Sequence, residues 1–213
     1  MQPQNARSRR TQAALLEAAR QIVEEEGLPG LTMAAVAERA GVTRRSVYLH
    51  FESRTQLLTS LFDHVNDSEG LRGSVRPVVD APDALAAVRA WAAHVARFHP
   101  RVARIGTAMQ SMRSTDPDAD QHWQLVQDDW HRLCVLVATR VHDESALAPG
   151  WTTETMADML QALMSFDVLE VLVDQRGWST DDVETHLARV ALSAFTRPTG
   201  TDLRPARSPR RRP

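Results

Sequence analysis

Between Thr43 and His50, six of eight residues can donate hydrogen bonds: Thr43, Arg44, Arg45, Ser46, Tyr48 and His50. On a helix these donors cover about two turns and leave one face too polar to be core. That is the composition a helix needs to enter the major groove of DNA. Arginine forks onto guanine O6 and N7, Thr and Ser meet bases or phosphates, and Tyr and His reach backbone oxygens. The plain alternative for this pattern alone is a helical hairpin with a solvated face.

Other candidate chemistry fails on spacing. Asp116, Asp118 and Asp120 imitate the start of a calcium loop, but Gln121 and Gln127 stand where such a loop needs Gly and Glu, so they read as helix-capping carboxylates. His131 and Cys134 lie a turn apart, with no second ligand pair at useful spacing. Cys134 sits in the apolar run Leu133 to Ala138 and reads as a buried, inert thiol. All 25 basic residues are arginine, which excludes phosphate-loop, Schiff-base and Ser-Lys chemistry. No Gly-x-Ser-x-Gly, His-Glu-x-x-His or glycine-rich phosphate loop occurs. No catalytic residue, metal ligand or cofactor is expected, and an enzyme is the weaker reading.

The elements that must hold the donor-rich segment are helical throughout. No stretch alternates over strand length, whereas spacings of three and four recur along the chain, which predicts an all-α fold of about nine helices. The first runs from Arg9 to a stop at Gly27. Thr32 caps Met33 to Ala40, Thr43 caps Arg44 to about His50, and Ser53 caps a helix with Leu57, Leu58, Leu61, Phe62 and Val65 on one face. Gly41 sits in the turn between the two short helices, where a positive φ is needed. Further helices are expected over 82–98, 100–112, 116–142, 152–175 and 179–195.

Charge and composition divide the chain. Residues 1–54 carry eight Arg against six acids, residues 55–196 eleven against twenty, and residues 197–213 six against one. A basic head on an acidic body suits a nucleic-acid reader with a separate second domain. The expected organisation is a flexible arm (1–8), a helix-turn-helix domain (9–66), a Gly- and Pro-bearing linker (67–81), a second helical domain (82–196) and a disordered basic tail (197–213). The 213 residues are 43% apolar, the longest apolar run is far short of the roughly 20 residues that span a membrane, and residues 1–7 form no signal core. With a single cysteine, the chain reads as cytoplasmic, with no membrane partner.

The head resembles the N-terminal domain of the TetR family of bacterial transcriptional regulators. The likeness is carried by Leu31-Thr32, Val36-Ala37, Ala40-Gly41-Val42-Thr43, Ser46-Val47-Tyr48, His50-Phe51 and Ser53-Arg54, followed by Leu57-Leu58. It spans the first four helices; the remaining helices are similar only in number, length and order. The resemblance implies a repressor of a palindromic double-stranded operator, released by a small apolar or aromatic effector. It makes Arg44, Arg45 and Ser46 the base-facing set. Thr43, Tyr48, His50 and Arg54 become phosphate contacts, with Thr32 and the helix start at Ser53 beside them. Arg9 and Arg10 resemble basic residues that precede the first helix and approach the DNA. Departures are Arg45 where many relatives have a small residue, Leu49 for a polar or aromatic one, and Arg54 for lysine. The first two bear on which operator is read.

For the second domain, the resemblance implies effector binding and homodimerisation. The candidate pocket wall is Trp91, His94, Phe98, Met109, Met112, Trp123, Trp130, Met156 and Met159. The helix 152–175 is apolar on both sides and needs cover on both. Leu160, Met164, Val168 and Leu172, with Val183, Leu187, Val190 and Ala194 of the last helix, are the expected dimer residues, as half of a four-helix bundle.

Overall fold

The computed structural model describes the backbone of residues 3–197 and the side chains of residues 7–197 other than Asp118. The expected tail, beyond Arg197, lies outside the described residues. The fold is all-α: α1 (Pro3–Glu26), α2 (Met33–Arg39), α3 (Arg44–Tyr48), α4 (Arg54–Ser68), α5 (Leu71–Val79), α6 (Ala84–Met112), α7 (Pro117–Asp143), α8 (Thr153–Leu163), α9 (Phe166–Leu169) and α10 (Thr180–Phe195). A 3-10 turn, Leu28–Gly30, follows α1, and a π turn, Glu170–Gln175, continues α9. Among the described residues, no helix is long and apolar enough to cross a membrane.

The caps form where their side chains can accept from free amides. The backbone N–H groups of Ala35, Ser46 and Gln56 donate to the hydroxyls of Thr32, Thr43 and Ser53 at 3.0–3.2 Å. Thr152 and Ser179 form reciprocal capping boxes at α8 and α10. Such caps are each worth about 1 kcal/mol.

Four expectations are corrected. The segment 67–81 is not a linker: α4 runs to Ser68 and α5 fills most of the remainder, burying Val78 against α6 despite Pro77 within it. The helices 82–98 and 100–112 are one, because α6 passes through Pro100 while its residues are packed from Ala84 to Met112. The helix 152–175 is broken at Ser165, whose hydroxyl caps α9. No free arm precedes α1 in the described residues, so Arg9 and Arg10 lie within the helix.

The core is continuous across the expected domain boundary. Leu15, Ile22, Val36, Val47, Phe51, Leu57 and Leu61 of the head share one apolar cluster with Phe98, Ile105, Met109, Trp123 and Phe166 of the body. A second cluster joins Trp91 and Val95 of α6 to Val137, Met156, Leu160, Val183 and Leu187. Gly106 makes the junction between α6 and α9 possible. A Cβ there would stand 2.1 Å from the Phe166 ring, which lies edge-on to Trp130 with centroids 5.3 Å apart.

Candidate DNA interface and effector cavity

The turn between α2 and α3 follows from Gly41, whose φ of 67° a side-chain-bearing residue adopts poorly. Val36, Ala37 and Val47 are buried beneath it, so α3 is pinned by one side and presents the other. Thr43, Arg44, Arg45 and Tyr48 are exposed; Ser46 and His50 are half-buried. Arg44 is already arranged along the helix: Nη2 donates to the Tyr48 hydroxyl at 3.3 Å, and the guanidinium lies 5.6 Å from the Tyr48 ring centroid. Arg45 sits one turn from Leu49, which is 76% exposed and belongs to no core cluster. The structure therefore brings Arg44, Arg45, Ser46 and Tyr48 to one short helix, with the capped start of α4 at Ser53 close in sequence. Thr32, at the start of α2, is exposed too, and Arg9 and Arg10 are exposed on α1.

Arg54 does something else. Its Nε donates to the Leu31 carbonyl at 2.7 Å and its Nη2 to the Leu28 carbonyl at 2.6 Å. These carbonyls belong to the chain that links α1 to α2, so Arg54 clamps that link onto α4. Two of its five guanidinium N–H groups are thus held by backbone acceptors, a structural role that the expected phosphate contact did not include.

A cavity of about 850 Å³ lies between α4, α5, α6 and α7. Of the expected pocket residues, only His94, Phe98 and Trp130 line it. Trp91 and Met156 are buried in the second core cluster, and Met109, Met112 and Trp123 in the first. Met159 is 43% exposed on α8. The wall that sequence reasoning missed comes from α4 and α5: Phe62, Asp63, Asp67, Leu71 and Arg72, with His99 from α6. His99 stands one residue beyond Phe98, yet nothing in its spacing marks it; α5, read as linker, could supply no wall at all. His94 Nδ1 is 2.8 Å from Ser74 Oγ and its ring stacks on Phe98 with centroids 5.4 Å apart. Burial pushes His94 down to about 4 and His99 down to about 3, so both are neutral at ordinary pH.

Between cavity and head stands Glu69, at the end of α4. It receives Arg20 Nη2 of α1 at 2.7 Å and Arg101 Nη2 of α6 at 2.7 Å. The hydrogen bond from Arg20, aided by Arg101, holds its carboxyl below the usual range against partial burial. Arg104 of α6 also donates to the Glu24 carbonyl near the end of α1, at 2.6 Å.

Among the described residues no three His, Cys, Asp or Glu side chains are grouped to hold a metal. Burial pushes the Cys134 thiol up to about 12, and His131 Nδ1 is taken by Gln161 Oε1 at 2.9 Å. Four of the expected dimer residues, Leu160, Met164, Val183 and Leu187, are buried inside the chain's own core and cannot meet a partner. Val168 and Leu172 are half-buried, while Val190 and Ala194 face outward.

Two short helices across a glycine turn, with a donor-rich second helix exposed, form a helix-turn-helix, the arrangement that in DNA-binding proteins carries the second helix into the major groove. Residues 15–61 match the model of the tetR family of bacterial regulatory proteins, so the likeness at family level is carried by this N-terminal segment. The transcriptional regulator TtgR of Pseudomonas putida is 32% identical over 79 residues, covering 37% of this chain. That match spans 38% of the length of TtgR. EthR of Mycolicibacterium smegmatis is 24% identical over 201 residues, 89% of each chain. Among solved structures, NalD, the secondary repressor of the MexAB-OprM multidrug efflux pump in Pseudomonas aeruginosa, aligns with a TM-score of 0.71. That alignment covers 91% of this chain and all of NalD at 22% identity, so it bears on the fold alone.

Proposed function

We propose that the chain is a sequence-specific DNA-binding transcriptional regulator, a repressor that leaves a near-palindromic operator when a small molecule fills the α4–α7 cavity. The observation that carries this reading is α3: a helix pinned by Val47 on one side, with Arg44, Arg45 and Tyr48 exposed on the other. Arg45 and one arm of Arg44 are available to fork onto guanine. Leu49, on the Arg45 stripe, offers an apolar surface to a thymine methyl, the one apolar group on a base edge in the major groove.

The route from cavity to DNA runs through α4. Asp67 and Leu71 line the cavity, and Glu69 between them ties the end of α4 to α1 and α6. A ligand that moves this corner biases how α1 and α4 hold α2 and α3. Linkage then requires that DNA weaken the ligand by the same factor.

A homodimer would present two copies of α3 to two half-sites. The outward faces of α8 and α10, with Met159, Val190 and Ala194, are the surface for it.

The reading is tested by selecting duplexes from a random pool with the full chain and measuring retention in a gel shift. Enrichment of one inverted-repeat sequence is the expected result. Recovery of no preferred sequence would refute sequence-specific regulation.

A further inference from the structure

The cavity carries a charge pattern that an uncharged apolar effector leaves unexplained. Its floor is aromatic: Phe62, Phe98 and Trp130, with Trp130 half-buried so that ring surface remains accessible. The two histidines inside, His94 and His99, are neutral and contribute no positive charge. The rim formed by α4 and α7 is acidic. Asp63 and Asp67 lie one turn apart on α4, and Asp129 faces them from α7. Among the described residues neither Asp63 nor Asp67 is paired with an arginine. His122 Nε2 stands 3.7 Å from Asp63, too far for a hydrogen bond. Asp129 shares Arg132. Partial burial raises the Asp63 carboxyl; His122 opposes this, and the charges on Asp67 and Asp129 add to it, so the carboxylates act on one another. Like charges held together are unfavourable and are relieved by a cation.

An independent observation comes from the interior. His99 lines the cavity, is 1% exposed, and its Nδ1 has no hydrogen-bond partner among the described residues. A buried polar atom left unpaired is costly, and a ligand that draws the His99 ring toward the cavity would relieve that cost.

We propose that this cavity binds an amphipathic organic cation. Its aromatic or apolar body rests on Phe98 and Trp130, and its positive centre lies toward Asp63, Asp67 and Asp129. A positive centre next to an indole face gains cation–π attraction as well as Coulomb attraction. The α5 wall supplies the competing chemistry. Arg76 is tied to Asp80 at 3.0 Å, while Arg72 has no acidic partner among the described residues and would favour an anion instead. The proposal rests on the cavity being the effector site, and it changes the expected effector from uncharged to positive.

Tetraphenylphosphonium and tetraphenylborate have nearly the same shape and opposite charge, so they separate charge from apolar fit. The full chain is titrated with each by calorimetry, without DNA. The phosphonium is expected to bind at least about tenfold tighter than the borate, a difference the size of one charge contact. Asp63→Asn combined with Asp67→Asn, at two exposed positions, should remove about that factor for the phosphonium and leave the melting temperature close to wild type. Trp130→Phe should reduce the quenching of tryptophan fluorescence that accompanies binding. Equal or tighter binding of the borate, an unchanged phosphonium affinity in the Asn variant, or no phosphonium binding overturns the proposal. Since DNA is absent, these outcomes do not depend on whether the chain reads an operator. A phosphonium that binds as expected but leaves a selected operator complex intact supports the cation site and refutes effector control.

Discussion

At the scale of single residues, the two arginines at the ends of the reading segment divide their work by what already holds them. Arg54 has two fixed backbone acceptors, whereas Arg45 has none among the described residues and is exposed on α3. Arg54→Ala should therefore lower stability by about 1.5–3 kcal/mol, the range for hydrogen bonds to a charged group, measured as a shift in the urea midpoint. An unchanged midpoint with weaker binding to all DNA would restore the phosphate role. The buried histidines make a second prediction. In the unfolded chain each takes its proton near its ordinary value of 6.5, while in the folded chain His94 waits until about 4 and His99 until about 3. The unfolded state thus binds more protons throughout that window, so the stability present above 6.5 is lost as pH falls toward 4. Urea midpoints at about pH 7 and about pH 5 should show the drop, and His99→Phe should reduce it. The donors on α3 were legible from residue type alone. The clamp by Arg54 was not, because its partners are carbonyls more than twenty residues away.

At the scale of elements, capped helices were legible and irregular ones were not. Thr32, Thr43, Ser53, Thr152 and Ser179 cap as their types and positions predict. The helix α5 was hidden by Gly70, Gly73 and Pro77, since its stability comes from packing on α6 and not from propensity. Pro100 suggested an end to a helix that the surrounding packing carries through. The break at Ser165 is tertiary in origin as well: it lets Phe166 enter the gap above Gly106. Gly106→Ala sets a helix-propensity gain of about 1 kcal/mol against displacement of a ring enclosed by Trp123, Trp130 and His99. Overpacking of this kind costs about 1–3 kcal/mol, so a net loss of melting temperature is expected. A gain would mean that Phe166 moves aside freely. The cavity shared this fate: its α6 and α7 residues His94, Phe98 and Trp130 could be picked out, whereas the α4 and α5 wall needed the fold.

At the scale of the molecule, the continuous core joins the N-terminal helices to the body, so a ligand bound between α4 and α7 would act on a connected structure. The outward faces of α8 and α10 are separate from that core. Val190→Glu, at a position 49% exposed, should leave the fold intact and yield monomers by sedimentation. Leu187→Glu, three residues earlier but 5% exposed, should unfold the chain instead. A Val190→Glu protein that still sediments as a dimer would move the interface elsewhere. The proposed reading of base sequence by α3 turns on Arg45. Binding isotherms for wild type and Arg45→Ala, on a selected operator and on a scrambled duplex at two salt concentrations, test it most directly. Arg45→Ala should lose about 1–3 kcal/mol on the operator and little on the scrambled duplex, with the salt slope nearly unchanged. Equal losses on both duplexes, or equal wild-type affinity for both, would contradict it.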